Sequence, residues 1–343
     1  MKLSLPDGFP TEVLVAEAPS EALLPNRNWV LLGDTGVEEF WSFAGLPQPK
    51  GSLWVKTSEA TKRIETLVPW LEHWASLPLH RDAVIVAVGG GVLTDMAGLA
   101  ASLFLRGVQW HAWPTSLLAQ VDAGLGGKTA VNLNSGKNLA GAFHAPARMV
   151  VCRSFLRTLP NRHLAAGRWE LLKTAMLIGD VPWAEAILTQ ELPPSEFIQR
   201  ALQIKGEIVY RDPLEKGERR LLNLGHTLGH ALEAASGYQL LHGEAVGMGL
   251  LAACFLAEEN GLEPFPVPFL RRMAKGLKPY APFAASWEEC RPWLLRDKKA
   301  LHGSLASPEL HCILPLPGER AREMPLDPDA WAPVHARLLA SLH

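Results

Sequence analysis

Five side chains suited to metal binding or acid–base work crowd one short stretch. LNLGHTLGHALE followed by LHGEAVGMG supplies His226, His230, Glu233, His242 and Glu244. His226 and His230 stand four residues apart, the spacing that places two side chains on one helix face, and imidazole suits zinc. A helix from His226 to Gly237 is about 16 Å long, and the five steps on to His242 reach about 17 Å if extended. His242 therefore joins His226 at one ion only if residues 238–242 fold back along the helix; otherwise the pair at helical spacing is the ligand set. A third ligand is wanted, often a carboxylate in catalytic zinc sites, with one position left for water or substrate. Glu170 is the candidate, with Lys173 three residues later on the same helical face. By pattern alone the preferred reading of those two is a surface ion pair, contributing roughly a few tenths of a kcal/mol.

Two glycine-rich segments can meet phosphate. Gly89-Gly90-Gly91 follows the apolar run Ala83 to Val88 and precedes a helical segment with Asp95 and Gly98, an arrangement that offers backbone N–H groups to a pyrophosphate. It is not the GxGxxG fingerprint, and a glycine triplet after a strand also serves as a plain tight turn. The second segment, Asp122 to Thr129 (DAGLGGKT), resembles a P-loop with Asp in place of the first glycine. PTSLLAQV before it reads as helix where a P-loop needs a strand. A loop carrying Lys128, with Lys137 and Asn138 close behind, reads better as an anion site for a substrate phosphate; a solvated lysine loop is the plain alternative.

The elements that must position these residues fall into two halves. From Asn28 to about Val151, WVLLG, SLWVKT, AVIVAVGGG and MVVC alternate with helical stretches such as TKRIETLVPWLEHWASL, a βαβ-type pattern. After Pro160 helical periodicity dominates, over roughly 161–178, 195–211, 223–236, 242–260 and 267–277. Ser195 stands where an N-cap is expected, and Gly237 and Asn260-Gly261 where helices end. The fold class is α/β: a Rossmann-like nucleotide-binding domain over residues 1–160, then an all-α metal-binding domain over 161–343.

Composition bounds the partners. The 343 residues are 48% hydrophobic and 20% charged, which suits a well-cored globular chain and excludes disordered, collagen-like and coiled-coil classes. Thirty-three Lys plus Arg against 35 Asp plus Glu give a net charge of -2, so no global basic field argues for nucleic acid or an anionic membrane. Cys152, Cys254, Cys290 and Cys312 form neither a disulfide framework nor a CxxC motif, pointing to a reducing compartment. The N-terminus has no sustained apolar h-region, and the run Ala245 to Ala257 is too short to cross a bilayer of about 30 Å. The expectation is a cytoplasmic protein.

In order and spacing, GGGVLTDMAG, LRG, PTSLLAQVDAGLGGKTAVN, GKNLAGAFHAP, GRWELLK, EKGERRLLNLGHTLGHALE, HGEAVGMG and RDKK resemble the 3-dehydroquinate synthase family of sugar phosphate cyclases, over about residues 83–299. The resemblance implies a homodimer with NAD in the N-terminal domain, a divalent metal in the C-terminal domain, zinc first and cobalt next, and an active site in the cleft between the domains. It implies metal ligands Glu170, His226 and His242, with Asp122, Lys128, Lys173, Asn223 and His230 catalytic. Substrate contacts fall on Arg106, Asn138, Lys205, Arg219, Lys298 and Lys299, and Arg106 resembles an arginine that reaches into the partner subunit's site. NAD contacts fall on Glu59, Lys62, Gly90, Gly91, Asp95, Thr115, Ser116, Phe155 and Thr158. The implied reaction belongs to the shikimate pathway and converts 3-deoxy-D-arabino-heptulosonate 7-phosphate to 3-dehydroquinate and phosphate. It runs by transient oxidation with NAD, phosphate β-elimination, reduction and an intramolecular aldol closure. Three positions depart from the family pattern. Asp34-Thr35-Gly36 replaces Asp-x-Asn, Trp169 replaces a small residue beside Glu170, and Ala123-Gly124 replaces a commonly hydroxylated pair.

Overall fold

A computed structural model describes residues 1–26, 28–299 and 310–343. The runs WVLLG, VIVAVG and MVVC become strands buried on both faces, as the interior of a parallel sheet requires. β1 (Glu12–Ala16), β2 (Trp29–Asp34), β3 (Ser52–Val55), β4 (Val84–Gly89) and β5 (Gln109–Pro114) enter this sheet. β6 (Lys128–Leu133) and β7 (Gly136–Phe143) form a separate antiparallel hairpin, and β8 (Arg148–Cys152) completes the sheet. Its order is β1-β8-β5-β4-β2-β3, with every pairing parallel. The chain leaves β2 toward β3 on one side and β4 toward β5 on the other. The carboxyl ends of β2 and β4 therefore flank a topological switch point, where open α/β sheets take their ligands. The loops at that point are Asp34-Thr35-Gly36 and the turn at Gly90. α1 (Glu38–Phe43), α2 (Ile64–Ala75) and α3 (Gly91–Leu103) follow β2, β3 and β4, and α3 packs against β4, β5 and β6.

α4 (Asn161–Leu177), α5 (Val181–Thr189) and α6 (Ser195–Arg211) come next. The chain divides into two compact units, one of Met1–Leu164 with Pro194–Pro213, the other of Ala165–Pro193 with Leu214–His343. α6 thus belongs with the sheet, packing against the π-helical turn Ala119–Ala123. Ser195 is not the cap of α6: Pro194 holds that position, and the Ser195 hydroxyl donates to Glu17 Oε1 at 2.9 Å.

The second unit adds α7 (His226–Ala235), α8 (His242–Glu259), α9 (Val267–Leu277), α10 (Trp287–Lys299) and α11 (Trp331–Leu342). It is helical but not all-α, since β9 (Leu310–Leu316) and β10 (Glu319–Leu326) form an antiparallel hairpin in it. Every residue of α8 from Gly243 to Ala257 is buried, which makes α8 the central helix. Glycines let neighbouring backbones approach it: a Cβ on Gly243 would collide with the Ala166 carbonyl of α4, and one on Gly249 with the Gly225 carbonyl ahead of α7. The first turns of α7 and α8 are thereby brought to α4. Among the described residues no helix is long and apolar enough to cross a membrane.

Candidate metal centre and nucleotide-binding loops

Glu170 on α4 is fully buried, and Lys173 one turn later places its Nζ 2.7 Å from Glu170 Oε2. A surface ion pair is therefore excluded. Glu170 Oε1 lies 3.6 Å from His226 Nε2 and 3.3 Å from His242 Nε2. The fold-back that the sequence demanded occurs just after α7, where Gly237 and Tyr238 take φ values of 62° and 63°. Leu240 N then donates to Ser236 Oγ at 3.3 Å, and the His226 and His242 ring centroids end 5.1 Å apart. His230 lies 5.1 Å from His226 and 5.7 Å from His242, with ligand nitrogens of all three histidines within 4.8 Å of one another.

The two histidines beside Glu170 have their other ring nitrogens engaged. His226 Nδ1 is 3.1 Å from the Leu224 carbonyl, and His242 Nδ1 is 3.1 Å from Glu233 Oε2. Both Nε2 atoms are thereby presented toward one carboxylate oxygen, the arrangement in which outer partners orient metal-ligating imidazoles. Burial pushes His226 down to about 3, against the pull of Glu170, so this ring is in the neutral, ligating form. For His242 burial acts the same way but is outweighed by hydrogen bonds with Glu170 and Glu233, which hold it up at about 10. One carboxylate and two imidazoles with convergent Nε2 atoms fit a divalent ion.

Trp169 is 5% exposed, and its ring is taken up by helix packing: a Cβ on Gly247 of α8 would lie 2.6 Å from it, and one on Gly276 of α9 3.3 Å. Arg219 is buried in the turn Glu218–Asn223, while Asn223 Nδ2 donates to Glu215 Oε1 at 3.0 Å. Lys298 and Lys299 close α10, and their side chains lie outside the described residues.

In the first unit Gly90 caps α3. A Cβ on Gly90 would sit 3.7 Å from Ser116 Oγ, and one on Gly91 3.5 Å from Ala123 Cβ, both ordinary contacts. Internal packing thus does not demand glycine there. Bare backbone at a helix N-terminus is open to close approach by a phosphate, and the helix dipole there favours negative charge. Thr115 is buried with its N–H on the Gly89 carbonyl at 2.9 Å, and Ser116 Oγ accepts from Ala119 N at 3.3 Å.

Lys62 Nζ donates to Asp95 Oδ2 and to Asn138 Oδ1, each at 2.6 Å. Burial raises the Asp95 carboxyl above its ordinary range, opposed by the Lys62 charge. Glu59 Oε1 accepts from Asn132 Nδ2 at 2.7 Å and lies 3.6 Å from Lys137 Nζ. Asn132 Oδ1 in turn accepts from Asn138 N at 2.9 Å, so the hairpin turn is tied to Glu59 and Lys62. The Asp34 carboxylate holds its own turn, accepting from Gly36 N at 2.9 Å and from the Thr57 N–H and hydroxyl.

Asp122 and Lys205 form a salt bridge, and Lys205 Nζ also donates to the Asp122 carbonyl at 2.7 Å. Lys128 is exposed at the start of β6 after Gly126 and Gly127, both at positive φ, and a helical turn precedes this loop where a P-loop would have a strand. Phe155 is fully buried in the core under the sheet, its ring 5.1 Å from Phe40, and Thr158 Oγ1 donates to the Phe155 carbonyl at 2.9 Å. Arg106 is exposed with φ 64°. Sequence reading missed the roles of Leu224, Glu233 and Asn132. Only the spacing of Glu233, seven residues after His226 and so on the same helix face, carried a signal.

The fold of this chain, a parallel sheet with a glycine turn at its switch point and a helical unit with a His/His/carboxylate cluster, has counterparts among solved structures. The chain is similar to 2-deoxy-scyllo-inosose synthase solved with carbaglucose-6-phosphate, NAD+ and Co2+, with TM-score 0.83, 24% identity, and 98% and 99% of the two chains covered. It is also similar to ValA, the 2-epi-5-epi-valiolone synthase of Streptomyces hygroscopicus subsp. jinggangensis 5008 with NAD+ and Zn2+ bound, with TM-score 0.81, 25% identity, and 98% and 99% covered. Residues 52–166 match the 3-dehydroquinate synthase N-terminal family and residues 169–300 the 3-dehydroquinate synthase C-terminal family. The 3-dehydroquinate synthase of Methylacidiphilum infernorum is 41% identical over 261 residues, covering 74% of this chain and 72% of that one. That of Symbiobacterium thermophilum is 37% identical over 295 residues, covering 80% and 79%. The chain belongs to the 3-dehydroquinate synthase family.

Proposed function

We propose that this chain converts 3-deoxy-D-arabino-heptulosonate 7-phosphate to 3-dehydroquinate and phosphate, as a phosphate-eliminating carbon–oxygen lyase. It works as a homodimer in the cytoplasm, with NAD recycled in each turnover and one divalent metal, zinc before cobalt, on Glu170, His226 and His242. When bound, the metal supplies a Lewis acid for a sugar hydroxyl and NAD supplies a hydride acceptor that returns its hydride. The observation that carries the reading is the engagement of both Nδ1 atoms, which leaves His226 Nε2 and His242 Nε2 facing Glu170 Oε1.

The protein's own side chains do the rest. Lys173 holds Glu170 by its second oxygen, so the carboxylate keeps one orientation. His230, beside the two ligand rings, contacts the substrate, as does Asn223. Gly90, Gly91, Thr115 and Ser116 surround the pyrophosphate of NAD, and the Lys62–Asp95–Asn138 and Glu59–Asn132 links hold the adjoining side chains in place. Asp122, held by Lys205, accepts hydrogen bonds from a sugar hydroxyl. Lys128, Arg106 and Arg219 meet the phosphate and carboxylate of a dianionic substrate, a local cationic set that a chain of net charge -2 otherwise lacks. A second copy is supported by exposed Leu103 and Leu105 beside Arg106, and by exposed Leu139 and Phe143 on β7. Four buried free thiols suit a reducing compartment.

The test supplies zinc, NAD and the heptulosonate phosphate and follows phosphate release together with absorbance of NADH. Phosphate release with no net NADH, abolished by chelation and restored by zinc or cobalt, is expected. One NADH per turnover would identify a simple alcohol dehydrogenase instead, and turnover of a neutral sugar phosphate in place of the acid would identify another cyclase.

A further inference from the structure

We propose that Glu233 is a positioning residue of the metal site, holding His242 through Nδ1 so that Nε2 alone is offered to the ion. The inference rests on the metal reading above and extends it to a side chain that touches neither metal nor substrate. His226, His230 and Glu233 stand at i, i+4 and i+7 on α7, one stripe of the helix, so the turn that presents the first two also aims the carboxylate at His242. Glu233 Oε2 lies 3.1 Å from His242 Nδ1, and the Glu233 side chain is only 8% exposed. A carboxylate is kept that far from water only where a partner offsets its desolvation.

The two histidines provide an internal comparison. His226 is held at Nδ1 by the Leu224 carbonyl of its own chain turn, and its side chain is 11% exposed. His242 is the first residue of α8 and its side chain is 34% exposed, so less packing restrains its ring. The more exposed imidazole has the ionic partner. A carboxylate at Nδ1 both selects the tautomer with its proton on that nitrogen and makes Nε2 a stronger donor, and loss of such partners typically lowers metal affinity about 10- to 100-fold.

Zinc affinity of the stripped full-length protein, by competition with a chromogenic chelator, tests this alongside the visible spectrum of the cobalt form and the thermal midpoint of the metal-free protein. Glu233→Ala should lose about 10- to 100-fold in zinc affinity and shift the cobalt spectrum. Glu233→Gln keeps an acceptor at the same place without the charge; it should lose less and melt, metal-free, as the unsubstituted protein does. In a His242→Ala background the Glu233 substitution should have no further effect on zinc affinity. Unchanged zinc affinity and cobalt spectra in both Glu233 variants would overturn the proposal while leaving the metal site standing. Failure of the unsubstituted protein to bind zinc or cobalt would overturn the metal reading itself, and Glu233 with it.

Discussion

Arg219 shows how much one side chain decides. It is 3% exposed, and the turn that carries it is tied on both sides: Glu218 pairs with Arg320, and Arg220 Nη1 lies 3.9 Å from Glu323 Oε1. Glu215 also accepts from Asn223 Nδ2 at 3.0 Å. A buried guanidinium can form a two-pronged pair with a carboxylate that a lysine ammonium cannot copy. If it meets the carboxylate of the substrate, the charge-assisted bond contributes roughly 1.5 to 3 kcal/mol. Arg219→Ala should then lower kcat/KM about ten- to a hundredfold with metal content unchanged, and Arg219→Lys should recover part of the loss. Steady-state kinetics with metal stoichiometry decide the matter. Unchanged kinetics would remove the reason for preferring an acid substrate over a neutral sugar.

Helix packing explains how Trp169 is accommodated beside the buried Glu170. Its ring fills space over Gly247 and Gly276, so α4 meets α8 and α9 through an aromatic plate set against bare backbone. Gly247→Ala should therefore overpack this seam and destabilise the protein by about 1 to 3 kcal/mol in chemical denaturation. In a Trp169→Ala background the same substitution should cost less, the flexible Leu277 side chain, whose Cδ2 would lie 2.9 Å away, being what is left to move. Equal losses in the two backgrounds would show that the ring is not the obstacle. Elements of this kind were legible wherever one periodicity ran unbroken. The 3.6-residue pattern placed α4, α6, α7, α8 and α9 within a few residues, and the apolar runs placed β2, β3, β4 and β8. It failed where composition masks the period: β5 is QWHAWP, β6 opens on Lys128, β7 carries Gly136, Lys137 and Gly141, and β10 contains Pro325. Of the site, the histidines were visible as types and spacing, but spacing left open whether His230 or His242 joins His226, and Glu170 by pattern alone read as a surface ion pair; their meeting depended on the backbone reversal at Gly237 and Tyr238. The Lys62–Asp95–Asn138 link joins residues 33 and 76 positions apart, and local pattern carries no record of it.

Assembly is the scale at which the proposed role of Arg106 is tested. Leu105 and Arg106 hold φ values of 48° and 64°, a left-handed conformation that costs energy for residues with a Cβ and that sets Arg106 out from the surface. The first unit exposes Leu103 at the end of α3, Leu105 beside Arg106, and Leu139 and Phe143 on β7, which packs against α3. Large apolar side chains gathered on neighbouring elements mark an interaction surface, and a two-fold pairing of identical copies buries one such surface against another. Phe143→Glu, at a side chain 56% exposed in the single chain, should therefore weaken self-association in sedimentation velocity without unfolding the protein. Its specific activity should rise with protein concentration. The stronger test asks whose site Arg106 serves. Arg106→Ala and His242→Ala should each be nearly inactive alone, the first for want of a cation and the second for want of a metal ligand. If each arginine serves the other copy, a mixed dimer has one complete site: the metal ligands of the Arg106→Ala subunit and the arginine of its partner. Random re-pairing of equal amounts should then restore about a quarter of the unsubstituted activity. An arginine serving its own subunit leaves no complete site in any pairing, so a mixture that stays as inactive as its parts after proven exchange would place Arg106 in its own subunit's chemistry.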